Sequence, residues 1–328
     1  MANKSTRSQR KASGTSRSKA AKPKAHTTKI KVTSEPAPTS PVARPPLQPA
    51  WRIGWQATGL LWQYRNYFLL LGAIYLALDL LLVRSVAAFD VAALKAGLSS
   101  SFSHGAGVAI GGLSVFSSLF SAAASGASAD ATGAYHFFLA ILMSLVVIWS
   151  LRQIFTADDV LQTLRAKAAF YRSTTPLVPF LLILLLIGLQ FIPLLIALQI
   201  YTLIVGGGIA NTGLEQLIFL VILLAAASLT LFWLTRSAIA LYIVTLPGMQ
   251  PMQALKSAKE LVRGRRLSIA RKLLFLPLAL FILAAIVIVP CIIIWAPLAQ
   301  WLFFALTAVG FLLIHAYMYA LYRELLNE

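Results

Sequence analysis

Cysteine occurs once in 328 residues, at Cys291. That excludes an intrachain disulfide framework and a cysteine-built metal site. Acids are nearly as scarce: ten Asp and Glu stand against 28 Lys and Arg, and charged residues of both signs reach only 12%, against ~25% in an ordinary soluble domain. Histidine is limited to His26, His104, His136 and His315. No two of these stand at i, i+3 or i, i+4, so no helix offers a metal-ligand pair. Asp158 and Asp159 are the only adjacent acids, and at the start of a helical stretch they suit the positive helix end. No G-x-S-x-G motif and no phosphate-binding glycine loop with lysine occurs. These shortages remove the usual hydrolase, phosphoryl-transfer and metalloenzyme inventories. The expectation is a non-enzymatic protein with no catalytic residue, cofactor or metal.

Apolar residues are what is abundant, at 59% with a mean hydropathy of +0.80. A chain this apolar with a net charge of +18 must keep its charges apart from its apolar segments. Crossing a ~30 Å hydrocarbon core takes about 20 apolar residues. Six runs qualify, at 67–83, 136–152, 178–204, 216–235, 273–295 and 300–321. The fold class expected is therefore all-α: a six-span helical membrane domain over 49–328, with interfacial amphipathic helices and a disordered basic tail over 1–48.

The tail carries eleven Lys and Arg against one acid, Glu35, and has no Phe, Trp or Tyr. Such a segment buries too little apolar surface to offset the entropy of ordering. No apolar run follows its charges closely enough for a cleaved signal peptide. With no aromatic side chain for base stacking, nucleic acid is a poor match, whereas anionic headgroups attract Lys and Arg directly. Placing the tail inside leaves only Arg84 and Lys95 outside, so 26 of the 28 basic residues fall on one side. The positive-inside rule then predicts both termini cytoplasmic, in the plasma membrane. The seven tryptophans, Trp51, Trp55, Trp62, Trp149, Trp233, Trp295 and Trp301, all fall near predicted membrane interfaces, where an amphipathic ring is favoured.

Residues 105–124 are also moderately apolar. Ser114, Ser117, Ser118 and Ser121 fall on one helical face, with Leu113, Phe116 and Phe120 on the other. That pattern suits a helix lying on the membrane, and a seventh span there would reverse the side of Arg152–Arg172. Gly206, Gly207 and Gly208 read as a flexible external turn.

A weak repeat runs through the chain. Helical, basic stretches at 50–65, 158–172 and 251–271 each precede an outward span and a returning one. Tyr64-Arg65 and Tyr171-Arg172 end the first two, and Pro179/Pro193 is echoed by Pro277/Pro290. Alternation alone also generates such a pattern in any N-in six-span chain. If the repeat is real it is parallel, unlike the inverted repeats of many transporters.

Residues 246–272 carry the clearest local signal. Pro247, Gly248 and Pro251 break the chain, and Pro251 suits a first helical turn. Met252, Leu255, Ala258, Val262 and Ile269 then form an apolar stripe. Lys256, Lys259, Glu260 and Arg263 lie on other faces, with Arg265 and Arg266 flanking the stripe, which makes a basic amphipathic helix whose cations should meet lipid phosphates. Gly264 either ends or bends it.

Ala254-Leu255-Lys256-Ser257, followed by Leu261-Val262-Arg263-Gly264-Arg265-Arg266 and a span, resembles the membrane domain of glycerophosphoryl diester phosphodiesterases and related multi-pass proteins. Leu60-Leu61-Trp62 leading to Arg65-Asn66-Tyr67-Phe68 resembles it too. The likeness covers roughly 55–322 and is strongest at 240–280. It implies a helical membrane domain and not the phosphodiesterase, which belongs to a separate soluble barrel with clustered metal-binding His, Glu and Asp.

Polar groups inside spans are the remaining candidates. Asp79 lies in the outer third of the first span, where it either reaches the interface near Arg84 or serves a site. His315, in the sixth, either bonds a neighbouring helix or relays protons. Gln190 stands near Pro193, which frees the Leu189 carbonyl, as Pro290 frees that of Ile286 beside Cys291. Two functions are thus in play. One is a non-enzymatic membrane component that organises anionic lipid headgroups, or protein partners including a second copy of the chain, through Lys256, Lys259, Arg263, Arg265 and Arg266. The alternative is a transporter or permease for a small or amphiphilic solute, with Asp79, Gln190 and His315 at its site.

Overall fold

A computed structural model describes residues 47–82, 131–156, 166–209 and 212–326. The chain divides between Arg44 and Pro45, and the tail before that boundary lies outside the described residues. So do the 105–124 stretch, Asp158-Asp159, Arg84 and Lys95.

Nine helices and no strand occur among the described residues: α1 Ala50–Gln63, α2 Arg65–Leu82, α3 Ala131–Thr156, α4 Ala166–Ser173, α5 Leu177–Tyr201, α6 Gly213–Ile243, α7 Pro251–Val262, α8 Arg266–Ile294 and α9 Ala296–Leu326. Six of them are long and apolar enough to cross a bilayer: Arg65–Leu82, Gly133–Thr156, Leu177–Val205, Gly213–Ile243, Arg266–Ile292 and Pro297–Leu326. The protein is a multi-pass, all-α membrane protein, and each observed helix contains or closely overlaps the run expected of it.

Local chemistry sets the breaks. Thr212 and Glu215 close a reciprocal capping box at the start of α6, each side chain accepting from the other's backbone N–H at 3.4 Å. This satisfies two orphan donors of the first turn. Pro251 opens α7. Gly264, at φ +82°, ends it, because only glycine enters that region without a steric penalty. Pro193 sits inside α5, and Pro277 and Pro290 sit inside α8, all without ending their helices. After α5 the chain winds one π turn, Thr202–Gly206, before Gly208 reverses it at φ +71°.

The packing is cyclic. The chain forms three successive units, each a short helix and two spans: α1-α2-α3, α4-α5-α6 and α7-α8-α9. Within each unit the two spans pack together. Each short helix lies against the last span of the preceding unit: α4 on α3, α7 on α6, and α1 on α9. The first span of each unit makes the same choice, α5 touching α3, α8 touching α6, and α2 touching α9. The third unit thus closes back on the first. Each short helix buries residues at a spacing of four, with at least one small side chain in each row: Ile53 and Ala57, Ala169 and Ser173, and Ala254, Ala258 and Val262. In lipid, close backbone approach replaces the hydrophobic drive to association. The weak parallel repeat of the sequence is therefore present in the packing.

The last helix is central. α9 touches α1, α2, α3, α6 and α8, and its Tyr317 is fully buried. The main core runs from Leu71 of α2 through Val147 and Leu151 of α3 and Ile239 of α6 to Leu321. Six of the tryptophans are exposed, as expected of interface rings. Trp149 departs from that expectation: it is 8% exposed and packs inside the core.

Candidate functional site: the basic helix and the intramembrane polar groups

The short helices stand at one end of the bundle, and α7, with Arg263, Arg265 and Arg266 just beyond it, opens the longest basic stretch of the three. Ala254, Ala258 and Val262 seat it on α6 and α5. The stripe expected from the sequence is only partly reproduced: Ala258, Val262 and Ile269 are buried, Leu255 is half-buried, and Met252 is 68% exposed. Its apolar side therefore meets protein. The reason is size: Ala254 and Ala258 admit the α6 backbone, whereas Met252, two residues before Ala254, turns outward.

The five basic residues divide into two groups. Lys256, Lys259 and Arg263 are exposed, and Lys256 and Lys259 share the outward face with Met252. Arg265 and Arg266 are half-buried where α8 begins. The Arg266 guanidinium lies 4.6 Å from the Phe232 ring centroid on α6, a cation–π contact that holds it to the bundle. Arg265 also has interaction partners within the protein.

The three polar candidates lie in three different helix interfaces. Asp79 of α2 is buried, and its Oδ1 stands 3.1 Å from His136 Nδ1 on α3. Its ring partner is thus His136, while Arg84 lies outside the described residues. Gln190 of α5 donates from Nε2 to Ser237 Oγ on α6 at 2.7 Å. Its Oε1 is buried with no hydrogen-bond partner among the described residues. His315 of α9 joins three helices. The Tyr242 hydroxyl of α6 is 3.0 Å from Nδ1, and Ser144 Oγ of α3 is 3.0 Å from Nε2. Ser144 itself donates to the Ala140 carbonyl at 2.7 Å. Its proton is spent there, so Nε2–H donates to Ser144 and Nδ1 accepts from Tyr242. This fixes one neutral tautomer, with both ring nitrogens satisfied. The Phe311 ring stands edge-on to His315 at 4.7 Å and stacks on Tyr75 at 5.2 Å. Asp79 and Gln190 each tie the two spans of one unit together, and His315 ties units to one another.

Sequence reasoning passed over several residues at the basic end. Lys272 Nζ meets Glu324 Oε2 at 3.3 Å, joining α8 to α9, and the Tyr317 hydroxyl donates to the Lys272 carbonyl at 3.1 Å. Arg152 donates from Nη1 to the Thr245 carbonyl at 2.8 Å. The only signal for these was a lone charge near a span end, which snorkelling explains equally well. The chain matches no family model, no curated protein and no solved structure.

Proposed function

We propose that this is a non-enzymatic plasma-membrane protein, with both termini cytoplasmic, that gathers anionic lipid headgroups, and through them protein partners, on the outward face of α7. One observation carries this: α7 is clamped to α6 by Ala254, Ala258 and Val262, leaving Lys256, Lys259 and Arg263 exposed with Met252 among them. A fixed face with three cations, one acid (Glu260) and an exposed thioether at its start suits the headgroup layer, where the net positive charge meets phosphates and the apolar side chain enters the acyl boundary. The segregation of basic residues to this side of the spans supports the orientation.

Three cations beside the exposed Glu260, a net charge of about +2 held near an anionic surface, contribute about 2 kcal/mol, or about thirtyfold in local enrichment. The test uses the full chain in vesicles containing spin-labelled phosphatidylglycerol or phosphatidylcholine, and reads the fraction of motionally restricted label. Wild type should prefer phosphatidylglycerol. The Lys256→Gln/Lys259→Gln/Arg263→Gln variant should lose much of that preference, and so should wild type in high salt. An unchanged preference in the triple variant would sink the proposal.

The permease alternative keeps one supporting observation, the unpartnered Gln190 Oε1 beside Pro193. Solute flux into the same vesicles, abolished by Gln190→Ala, would favour it.

A further inference from the structure

A cavity of about 280 Å³ opens between the basic ends of α3 and α6 and the turn that leads into α5. Arg152 and Arg172 line its wall with two cations, Ser173, Thr175 and Thr245 add hydroxyl-bearing side chains, and, among the described residues, none in its lining is acidic. The bond from Arg152 Nη1 to the Thr245 carbonyl ties one guanidinium to another residue of the lining. Arg172, on α4, is exposed. Thr245 Oγ1 is committed to the Tyr242 carbonyl at 2.8 Å, whereas Ser173 and Thr175 make longer bonds, 3.3 and 3.4 Å, to carbonyls of their own turn. Those two hydroxyls are free to turn toward a stronger acceptor. The first turn of α5 also borders the space through Pro176 and Pro179, which have no N–H to donate, so this 25-residue helix contributes its dipole there and no backbone hydrogen bond from those two residues.

The chemistry changes with depth. Leu145, Trp149 and Arg152 all line the cavity and follow one face of α3 at i, i+4 and i+7, so the wall runs from aliphatic through aromatic to cationic. Leu145 and Trp149 belong to the buried core. A free inorganic anion gains nothing from that apolar floor. A molecule with a phosphate head and an apolar body matches both ends. The volume sits at the lower limit of small-molecule sites, which is the scale of a headgroup and the first carbons below it.

We infer that this cavity is a binding site for the phosphate headgroup of one anionic phospholipid, gripped by Arg152 and Arg172. Guanidinium groups suit the task because their planar donor fork matches two phosphate oxygens. The site differs from the α7 face in kind: it holds a single lipid in a pocket, while the face attracts many by charge. It shares with the proposed function only the placement of this end in the headgroup layer.

The test is native mass spectrometry of the full chain released from nanodiscs containing phosphatidic acid and phosphatidylcholine. Wild type should carry one phosphatidic acid per chain and no comparable phosphatidylcholine adduct. Arg172→Gln is the principal variant, because an exposed side chain leaves the fold intact. Loss of one charge-assisted contact should weaken retention roughly tenfold, and Arg172→Lys should recover part of it. The α7 triple glutamine variant should retain the single lipid, so a failure of the α7 proposal is distinguishable from a failure of this one. Equal retention by wild type and Arg172→Gln would overturn the inference. So would saturable binding of inorganic phosphate without lipid retention, which would make the cavity an anion site.

Discussion

Lys272 and Glu324 meet 3.3 Å apart, one near the start of α8 and the other near the end of α9, with side chains only 7% and 15% exposed. Glu324 also accepts from the Gln48 backbone N–H, immediately before α1. One carboxylate thus ties the start of α8, the end of α9 and the approach to α1. It stands where the cyclic arrangement of units closes.

Glu324→Ala leaves the Lys272 ammonium buried without its carboxylate, and breaking a buried pair in this way costs about 3 kcal/mol. Thermal unfolding in detergent micelles should show that loss, while the exposed Lys256→Ala stays within about 0.5 kcal/mol of wild type. The double variant Lys272→Met/Glu324→Met should be milder than Glu324→Ala alone, because no charge is left stranded.

Tyr242→Phe removes the donor to His315 Nδ1. Interhelical hydrogen bonds in membranes average about 0.6 kcal/mol and reach about 1.7, and the larger figure is expected here because His315 serves two bonds. Tyr242→Phe and Ser144→Ala should combine non-additively in a double-mutant cycle, since both act through one imidazole tautomer. Strict additivity would show that the chain from Tyr242 to Ser144 is not a unit.

The cyclic packing predicts equivalent behaviour at equivalent positions. Ala57→Leu, Ala169→Leu and Ala258→Leu each force a branched side chain into a contact built for a methyl group, at about 1–3 kcal/mol. Hydrogen exchange should show lost protection confined to the substituted short helix. Were only one of the three to undock, the repeat would be formal and not physical.

Two glycines should respond with opposite sign. Gly264 holds φ +82°, so Gly264→Ala should destabilise by about 1 kcal/mol despite open space around its Cβ position. Gly188 lies inside α5 with nothing within 4 Å of an added Cβ. Gly188→Ala should stabilise by about 0.5–1 kcal/mol, the usual gain in a helix interior. Thermal unfolding of the two variants reads both signs.

The sequence made some of the candidate site legible and hid the rest. Pro251 and Gly264 marked α7 because helix ends are local events. Its cations were legible as a group, but the division of Arg265 and Arg266 from Lys256, Lys259 and Arg263 was not, since it depends on Phe232, far away in the chain. Asp79, Gln190 and His315 stood out as polar groups within apolar runs. Their partners His136, Ser237, Tyr242 and Ser144 did not, because Tyr and Ser near a span end or in a helix need no partner to be ordinary. Trp149 read as an interface ring by its position along a span, yet it turns inward to the core and to the wall of the cavity.

By itself the sequence determined the six spans and the breaks between them. Each follows from apolar length or from a proline, glycine or cap acting within a turn or two. Tertiary structure alone decided that the last helix is central, that each unit leans on its predecessor, and that Arg152 and Arg172 line one cavity. The physical reason is the solvent. In a bilayer, a leucine facing lipid and a leucine facing another helix carry the same hydropathy, so the pattern that identifies a span does not say which of its faces is inside.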